Sequence, residues 1–449
     1  MMLSNYPLTV ILLTALLAVA GMGCGGDEPA MDTPEAETTP DTAAPPPEAA
    51  ASAAPHEQTG LAVGVATAAI NPAPGVWLGG YGHDRAATGN HDDLFAKGIV
   101  FHDGKTAVGL VVLDALSIQY PTGRAIRTKA AREVTAVPLP AERIVVQATH
   151  THAAPDTIGI YGPSPTESGV TPEYMAALEE AAVSVLAEAA ENLQPAALYW
   201  TTTEGPAWAV NDSEPGVVDR EITVLQAVAP DSGPIATLTH FACHPTVLDG
   251  NNTRTSADWV GTFYARMAEA APGAHLYLQG AIGAWIQPQT PERTFELAAR
   301  YGAGLAERTL AALENIKPVK GSQVRAAHKT FRIPAETERF QQLAASGLVD
   351  REFAGEGMNT EVTWFAVGNA QFATHPAETA PLYSWETELL MDTEPKFVLG
   401  LAQDHLGYFN PPKFYEEIEA YPHAAYLTQM SPGKHAGPAM MRMLAAIIP

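Results

Sequence analysis

The chain has 449 residues, 25 basic against 50 acidic side chains, a formal net charge of −25 and two cysteines. That balance excludes a nucleic-acid partner, because neutralising a phosphate backbone takes clusters of Lys and Arg that this sequence lacks. Two cysteines cannot build a disulfide framework, so stability must come from a hydrophobic core, with or without a metal ion.

In chain order, residues 8–21 (LTVILLTALLAVAG) form an apolar run too short to span a membrane comfortably, followed by small residues and Cys24 in MGCGGDE. Residues 1–23 therefore read as a lipoprotein signal peptide, with Cys24 carrying the lipid. The expected location is outside the cytoplasm, on an outer membrane, facing the periplasm or the surface. The first Lys or Arg is Arg85, so the leader lacks its usual positive charge, and plain secretion or an uncleaved anchor stays open. Residues 24–59 are a Pro/Ala/Glu/Thr tract with almost nothing to bury and read as a disordered tether. Residues 60–449 contain no second Pro-rich break and read as one large domain.

Within that body, apolar runs bounded by Gly, Pro and Asp predict strands over 61–69, 95–102, 107–114, 143–149, 196–202, 221–228, 235–243, 274–279, 324–331, 361–367 and 396–402. Amphipathic stretches predict helices over 122–135, 172–193, 258–271, 291–315, 378–391 and 437–447, with Thr171-Pro172 and Ser256-x-Asp258 as starts. The class is α/β, mixed sheets flanked by helices. Strands arrive singly, in pairs and in longer sets, which does not fit the strict alternation of a (β/α)8 barrel. No internal repeat is visible.

Polar residues of interest sit where strands end, the place where a rigid sheet can fix a reactive group while leaving it open to ligand. In VVQATHTHAAPDT, His150 and His152 lie one residue apart as an apolar strand runs out. An extended chain would aim both at one object, a shared proton or a metal ion. His244 in FACHPTVLDGN, Glu378 in THPAETAPL and Tyr408 in DHLGYFN lie at or near other predicted strand ends. Imidazole nitrogen and carboxylate oxygen both bind Zn²⁺, and three protein ligands with one open position is the usual catalytic set. Such a site suits hydrolysis of an amide or ester.

Read together, GLAVGVATAAINP, GGYGHD, IVVQATHTHAAPDT, FACHPTVLDGNNTRTSADWVG, LQGAIGAWIQP, HPAETAP and DHLGYFNPPKFYE, in that order, resemble the N-terminal catalytic domain of the neutral/alkaline (non-lysosomal) ceramidases. The resemblance covers nearly everything after the tether and implies a ceramidase-like fold over 60–449 and a zinc-dependent amidohydrolase acting on an acyl amide or ester by metal-activated water. It implies His150, His244, Glu378 and Tyr408 as zinc ligands and His152 as the neighbouring acid/base or oxyanion-side histidine. With a one-residue shift it also implies Tyr421 as a tyrosine that steadies the developing oxyanion.

One loop departs from the family pattern. The ceramidases carry a serine in a Gly-Asn-Ser-Gly-Asp type loop, whereas here Gly280-Ala281-Ile282-Gly283-Ala284 puts Ile282 and Ala284 in the serine and aspartate positions. A metal-activated water needs no protein hydroxyl, which favours a hydrolase. The alternative is a catalytically impaired zinc- or lipid-binding surface lipoprotein. The ceramidases also have a further immunoglobulin-like domain, so ceramide is not favoured here over another acyl amide or ester.

The remaining candidates carry two readings each. Asp258 supports the site or is a first-turn acid near a helix dipole, and Asp114 buttresses His150 or His152 or caps a strand end. Cys243 and His240 read as core residues. His375 is a loop or supporting histidine with a lesser claim on the metal, while His83 and His405 are candidates to line the pocket. Gly79, Gly80 and Gly82 mark a tight turn that lets backbone approach ligand, or simply a loop.

Overall fold

The computed structural model describes residues 60–354 and 357–449. The signal peptide, Cys24 and the tether expected over 24–59 lie outside the described residues. Strand β1 (Ala62–Ala69), β2 (Phe95–His102) and β3 (Ala107–Leu113) form an antiparallel meander; helix α1 (Tyr120–Glu133) then crosses to β4 (Ile144–Ala148), which lies parallel to β3, and α2 (Pro172–Glu191) follows. The next unit repeats that order. Antiparallel β5 (Ala197–Glu204), β6 (Glu221–Ala229) and β7 (Gly233–Phe241) lead through α3 (Trp259–Ala270) to β8 (Ala274–Gln279), parallel to β7, and then to α4 (Phe295–Leu313). A third unit has β9 (Val324–Pro334), helix α5 (Glu338–Ser346), β10 (Gly357–Val367) and β11 (Ala370–Thr374). It continues through α6 (Pro381–Leu390) to β12 (Lys396–Leu399), parallel to β11, and closes with α7 (Ala436–Ile447).

The architecture is mixed α/β, as the patterning predicts, and the predicted elements overlap the observed ones. The chain nevertheless repeats one topology three times, which the sequence reading misses. The repeat lives in strand order and crossover, and each unit fills that plan with different side chains. Of the elements named above, α5 and β11, a five-residue strand directly after the Gly368-Asn369 turn, also escape prediction. Among the described residues, no helix is long and apolar enough to cross a membrane.

Strand alternation sorts side chains to two sides of each sheet. Leu110 and Val112 of β3 join Leu225, Leu238 and Leu276 of the second sheet and Phe365, Phe372 and Phe397 of the third in one central core. The three phenylalanine rings stack in series at 4.3 and 4.4 Å, and full burial of each stabilises the fold by about 1.5–3 kcal/mol. Val111 and Leu113 face the other way, into the helices. Helix α2 can lie directly on the first sheet because Gly64 and Gly98 face it: a Cβ on either would stand 2.0 Å from Ala189 O or 2.8 Å from Val185 O.

The units meet at the C-terminal ends of their fourth strands, where buried glutamines tie them together. Gln147 Nε2 donates to Gln279 O (2.7 Å) and Gly400 O (2.9 Å), and Gln279 Nε2 donates to Thr149 O (2.8 Å) and Cys243 O (3.0 Å). Gln403 Nε2 donates to Ile144 O at 3.0 Å while its Oε1 accepts Val146 N–H at 3.2 Å. These amides supply donors to carbonyls at or next to the ends of β4, β7, β8 and β12.

Candidate metal centre

Strand β4 stops at Ala148, and two residues later His150 takes a left-handed backbone conformation, φ 70°. The extended geometry expected for His150 and His152 is therefore absent. The pair still converges, because the turn folds His152 back until its Nε2 lies 3.2 Å from His150 Nε2. A non-glycine residue held there costs on the order of 1–3 kcal/mol, and local hydrogen bonds hold it in place. His150 N–H donates to Ala115 O at 3.0 Å, and its Nδ1–H to Leu116 O at 2.6 Å. The GGYGHD segment walls the other side: Gly80 has φ 95°, and a Cβ there would sit 2.4 Å from His152 Cγ. Arg85 pins that wall by donating from Nη2 to the carbonyls of Gly79 and, at 2.6 Å, His152.

His244 comes from the end of β7. Its Nδ1–H donates to Ile286 O at 2.6 Å, and its Nε2 faces Glu378 Oε2 at 3.0 Å. Glu378 pairs in a short parallel ladder with Tyr408, and its Oε1 lies 3.5 Å from His150 Nε2 and 3.2 Å from His405 Nε2. Tyr408 accepts Trp285 Nε1–H at 3.1 Å and lines the same cavity as His150, His152, Glu378 and His405. The structure thus brings together His150, His152, His244 and Glu378, and places Tyr408 in register beside Glu378.

The ring protons decide what this cluster can do. A carbonyl only accepts, so both Nδ1 atoms carry their protons, and it is the two Nε2 atoms that are turned toward the Glu378 carboxylate. Filling such a gap takes a proton or a cation. Burial pushes the His150 pKa down to about 3, and burial followed by the other imidazoles pushes that of His152 well below its ordinary value, so both rings are neutral at physiological pH. Burial also raises the Tyr408 hydroxyl well above its ordinary value. His150, His152 and His244 each offer a nitrogen within 4.8 Å of the others, a group able to hold a metal ion.

Above the cluster the cavity forks. One limb runs past Leu116, Ile158, Phe340, Val349 and Phe353; the other, wider limb runs past His83, Thr246, Asn251 and Gln287. His152, Tyr161, Tyr408 and Tyr426 belong to both.

Several sequence candidates stand elsewhere. Tyr421 is not on the cavity wall: its ring stacks on Phe414 at 4.6 Å, with the Lys413 ammonium 5.2 Å from its centre, and Tyr426 lines the cavity instead. Asp114 does not buttress either histidine of the pair; it caps the sheet by accepting Phe95 N–H at 2.9 Å, and burial raises its pKa to about 7. Asp258 stands one residue before α3 rather than in its first turn. It caps α3 through Trp259 N–H (2.7 Å) and accepts the N–H groups of Val247 and Leu248, fixing the loop after His244. Cys243 is buried in the core, and His240 bonds Val398 O at 2.9 Å. Both nitrogens of His375 are taken by Thr379 and Thr387, which leaves none for a metal. Ile282 is fully buried in a small apolar cluster with Ala242, Ile286 and Leu401. Sequence reasoning missed Trp285, Tyr161 and Tyr426; the aromatic partner of Tyr408 was signalled only by its place next to the GAIGA loop.

Residues 61–287 match the family described as neutral/alkaline non-lysosomal ceramidase, N-terminal. The chain belongs to that family. Its fold is similar to the crystal structure of neutral ceramidase from Pseudomonas aeruginosa, with a TM-score of 0.72 at 15% identity, over 86% of this chain and 73% of that one. It is also similar to a structure described as a ceramidase complexed with C2, with a TM-score of 0.70 at 13% identity, over 86% and 74%. No curated protein matches the chain significantly. The neutral ceramidase fold is thus present at low identity.

Proposed function

We propose that this chain is a zinc-dependent hydrolase of an acyl amide. The observation that carries the reading is the convergence of two carbonyl-anchored imidazoles on a buried carboxylate beneath a cavity with an apolar limb. His150, His244 and Glu378 would hold the ion, with Tyr408 as fourth donor. When bound, zinc supplies Lewis acidity, polarising a carbonyl and bringing the pKa of a water toward neutrality.

The chain's own residues supply the rest. His152 faces both limbs and carries a buried Nδ1 without a partner, so its tautomer is free to change as it takes a proton from water and delivers it to the leaving nitrogen. Gly80 and Tyr81 hold that ring in place, the Tyr81 ring edge-on at 5.0 Å. The apolar limb would take the acyl chain and exclude water from the scissile bond.

Metal analysis of the purified full chain, followed by turnover of a panel of acyl amides and esters, tests this reading. One zinc per chain with hydrolysis abolished in His150→Ala is the expected outcome; activity unchanged by chelation and by that substitution would refute it. Zinc content in His152→Ala and Tyr408→Phe then tells which of the two is a ligand. A second reading, an impaired binder that keeps zinc but turns nothing over, is favoured by the wholly apolar packing of Ile282 and Ala284. We also propose export and anchoring through Cys24, to be checked by the mass of the mature N-terminus.

A further inference from the structure

The two limbs of the cavity differ in charge. Outside the His–Glu cluster, the one charged residue on the first limb is Arg351, and Asp404 neutralises it: Nη1 donates to Oδ2 at 3.1 Å and Nη2 to Oδ1. Everything else along that limb is apolar or uncharged. The second limb is lined by Arg293 and Arg339, and among the described residues neither forms an ion pair. Arg293 donates only to the carbonyl of Thr246, at 3.0 Å, and Arg339 keeps a buried Nε with no hydrogen-bond partner. The carboxylate of Asp249, on the same wall, is occupied by the backbone and side-chain N–H groups of Asn251. His83 adds a second buried nitrogen without a partner.

In a chain with 50 acidic and 25 basic residues, two guanidinium groups on a wall whose one carboxylate, Asp249, is turned to Asn251 and pairs with neither call for a ligand that brings another. A second alkyl chain in this limb, as a two-chain lipid would place there, would strip water from both guanidiniums and return nothing. An anion would instead gain charge-assisted, bidentate hydrogen bonds. We infer that the substrate has a single acyl chain, seated in the apolar limb, and on the amine side of the scissile amide a compact carboxylate that pairs with Arg293 and Arg339, as in an N-acyl amino acid. This rests on the hydrolase reading of the same site.

The test uses the full chain with N-lauroylglycine, its uncharged methyl ester and a short-chain ceramide. The expected kcat/KM is at least about tenfold higher for the carboxylate than for either neutral amide, the ratio that one charge-assisted contact supplies. In Arg339→Ala and in Arg293→Ala the KM for N-lauroylglycine rises and the preference collapses toward one, while Arg339→Lys keeps part of it. Equal or better hydrolysis of the neutral amides, or a preference untouched in both alanine variants, overturns the inference and leaves the hydrolase reading standing. If nothing is hydrolysed, the hydrolase reading fails and binding decides. Titration of N-lauroylglycine and its ester, followed by fluorescence of Trp285 on the same limb, should still favour the carboxylate about tenfold in the wild type and not in Arg339→Ala; equal affinity would overturn the inference.

Discussion

The fourth strands of the first and second units end in the same place and do opposite things. After β4 the chain turns through Thr149–His152 and delivers two imidazoles; after β8 it turns through Gly280–Ala284 and delivers Ile282 into an apolar cluster. The second turn supports the carboxylate that the first turn's imidazoles face. Gly283 N–H donates to Thr379 O at 2.9 Å, and a Cβ on Gly283 would lie 2.5 Å from Glu378 O, so the small residue lets the backbone of the carboxylate settle onto the loop. Ala284 and Trp285, at φ 61° and 57°, swing the indole round to Tyr408. Equivalent positions in a repeated fold thus divide chemistry from support, and a loop without polar side chains can still set where the reactive groups stand.

The largest expected effect is at the first turn. His150→Ala should lower hydrolysis by roughly 10³-fold or more and remove bound zinc, since it deletes a donor and leaves Glu378 facing one lone pair fewer; wild-type zinc content in that variant would break the contrast. At the second turn the loss should be in stability. Ile282→Ser trades a fully buried side chain for a hydroxyl without a partner and should cost about 3–5 kcal/mol in urea unfolding, with zinc stoichiometry kept.

The third-strand ends sharpen the same contrast, for Asp114 follows β3 as His244 follows β7 at a distance of two residues more. Burial raises the Asp114 pKa from the ordinary 3.8 to about 7, so the native state holds this proton more tightly than the unfolded chain. The associated stability is complete below about pH 4 and is lost as pH rises toward 7. Asp114→Asn should therefore flatten the decline of unfolding free energy between those pH values by up to a few kcal/mol relative to wild type, read from denaturant curves. The smallest effect belongs to Trp285→Phe, which removes one hydrogen bond to Tyr408. It should cost about 1 kcal/mol, near a fivefold fall in kcat/KM, with the fold intact.

Much of this was legible before any coordinates. The continuous apolar run Ala107–Leu113 announced a strand buried on both faces, and Pro172 announced the start of α2. His150 and His244 stood out because each follows an apolar segment where it ends, whereas Glu378 and Tyr408 took their roles from the family resemblance. What stayed hidden depends on tertiary contact. Nothing local marks Ala370–Thr374 as a strand rather than the tail of a turn, because its pairing with β10 and β12 is what makes it one. The left-handed turn at His150 could not be read from a Thr-His-Thr-His sequence whose propensity is extended. Tyr421 and Tyr426 lie five residues apart with similar surroundings in sequence, and only the packing of Phe414 against the first frees the second to reach the cavity.

Of the glutamines that tie the three units, Gln147 lies three residues before His150 and Gln403 two residues before His405. Under the metal reading, cation uptake and closure of that seam are one equilibrium, so each decade of free zinc above its dissociation constant adds about 1.4 kcal/mol to the native state. Thermal denaturation in graded chelator then becomes an affinity assay that needs no substrate. It would report the ion's grip on a protein that turns nothing over as readily as on an enzyme.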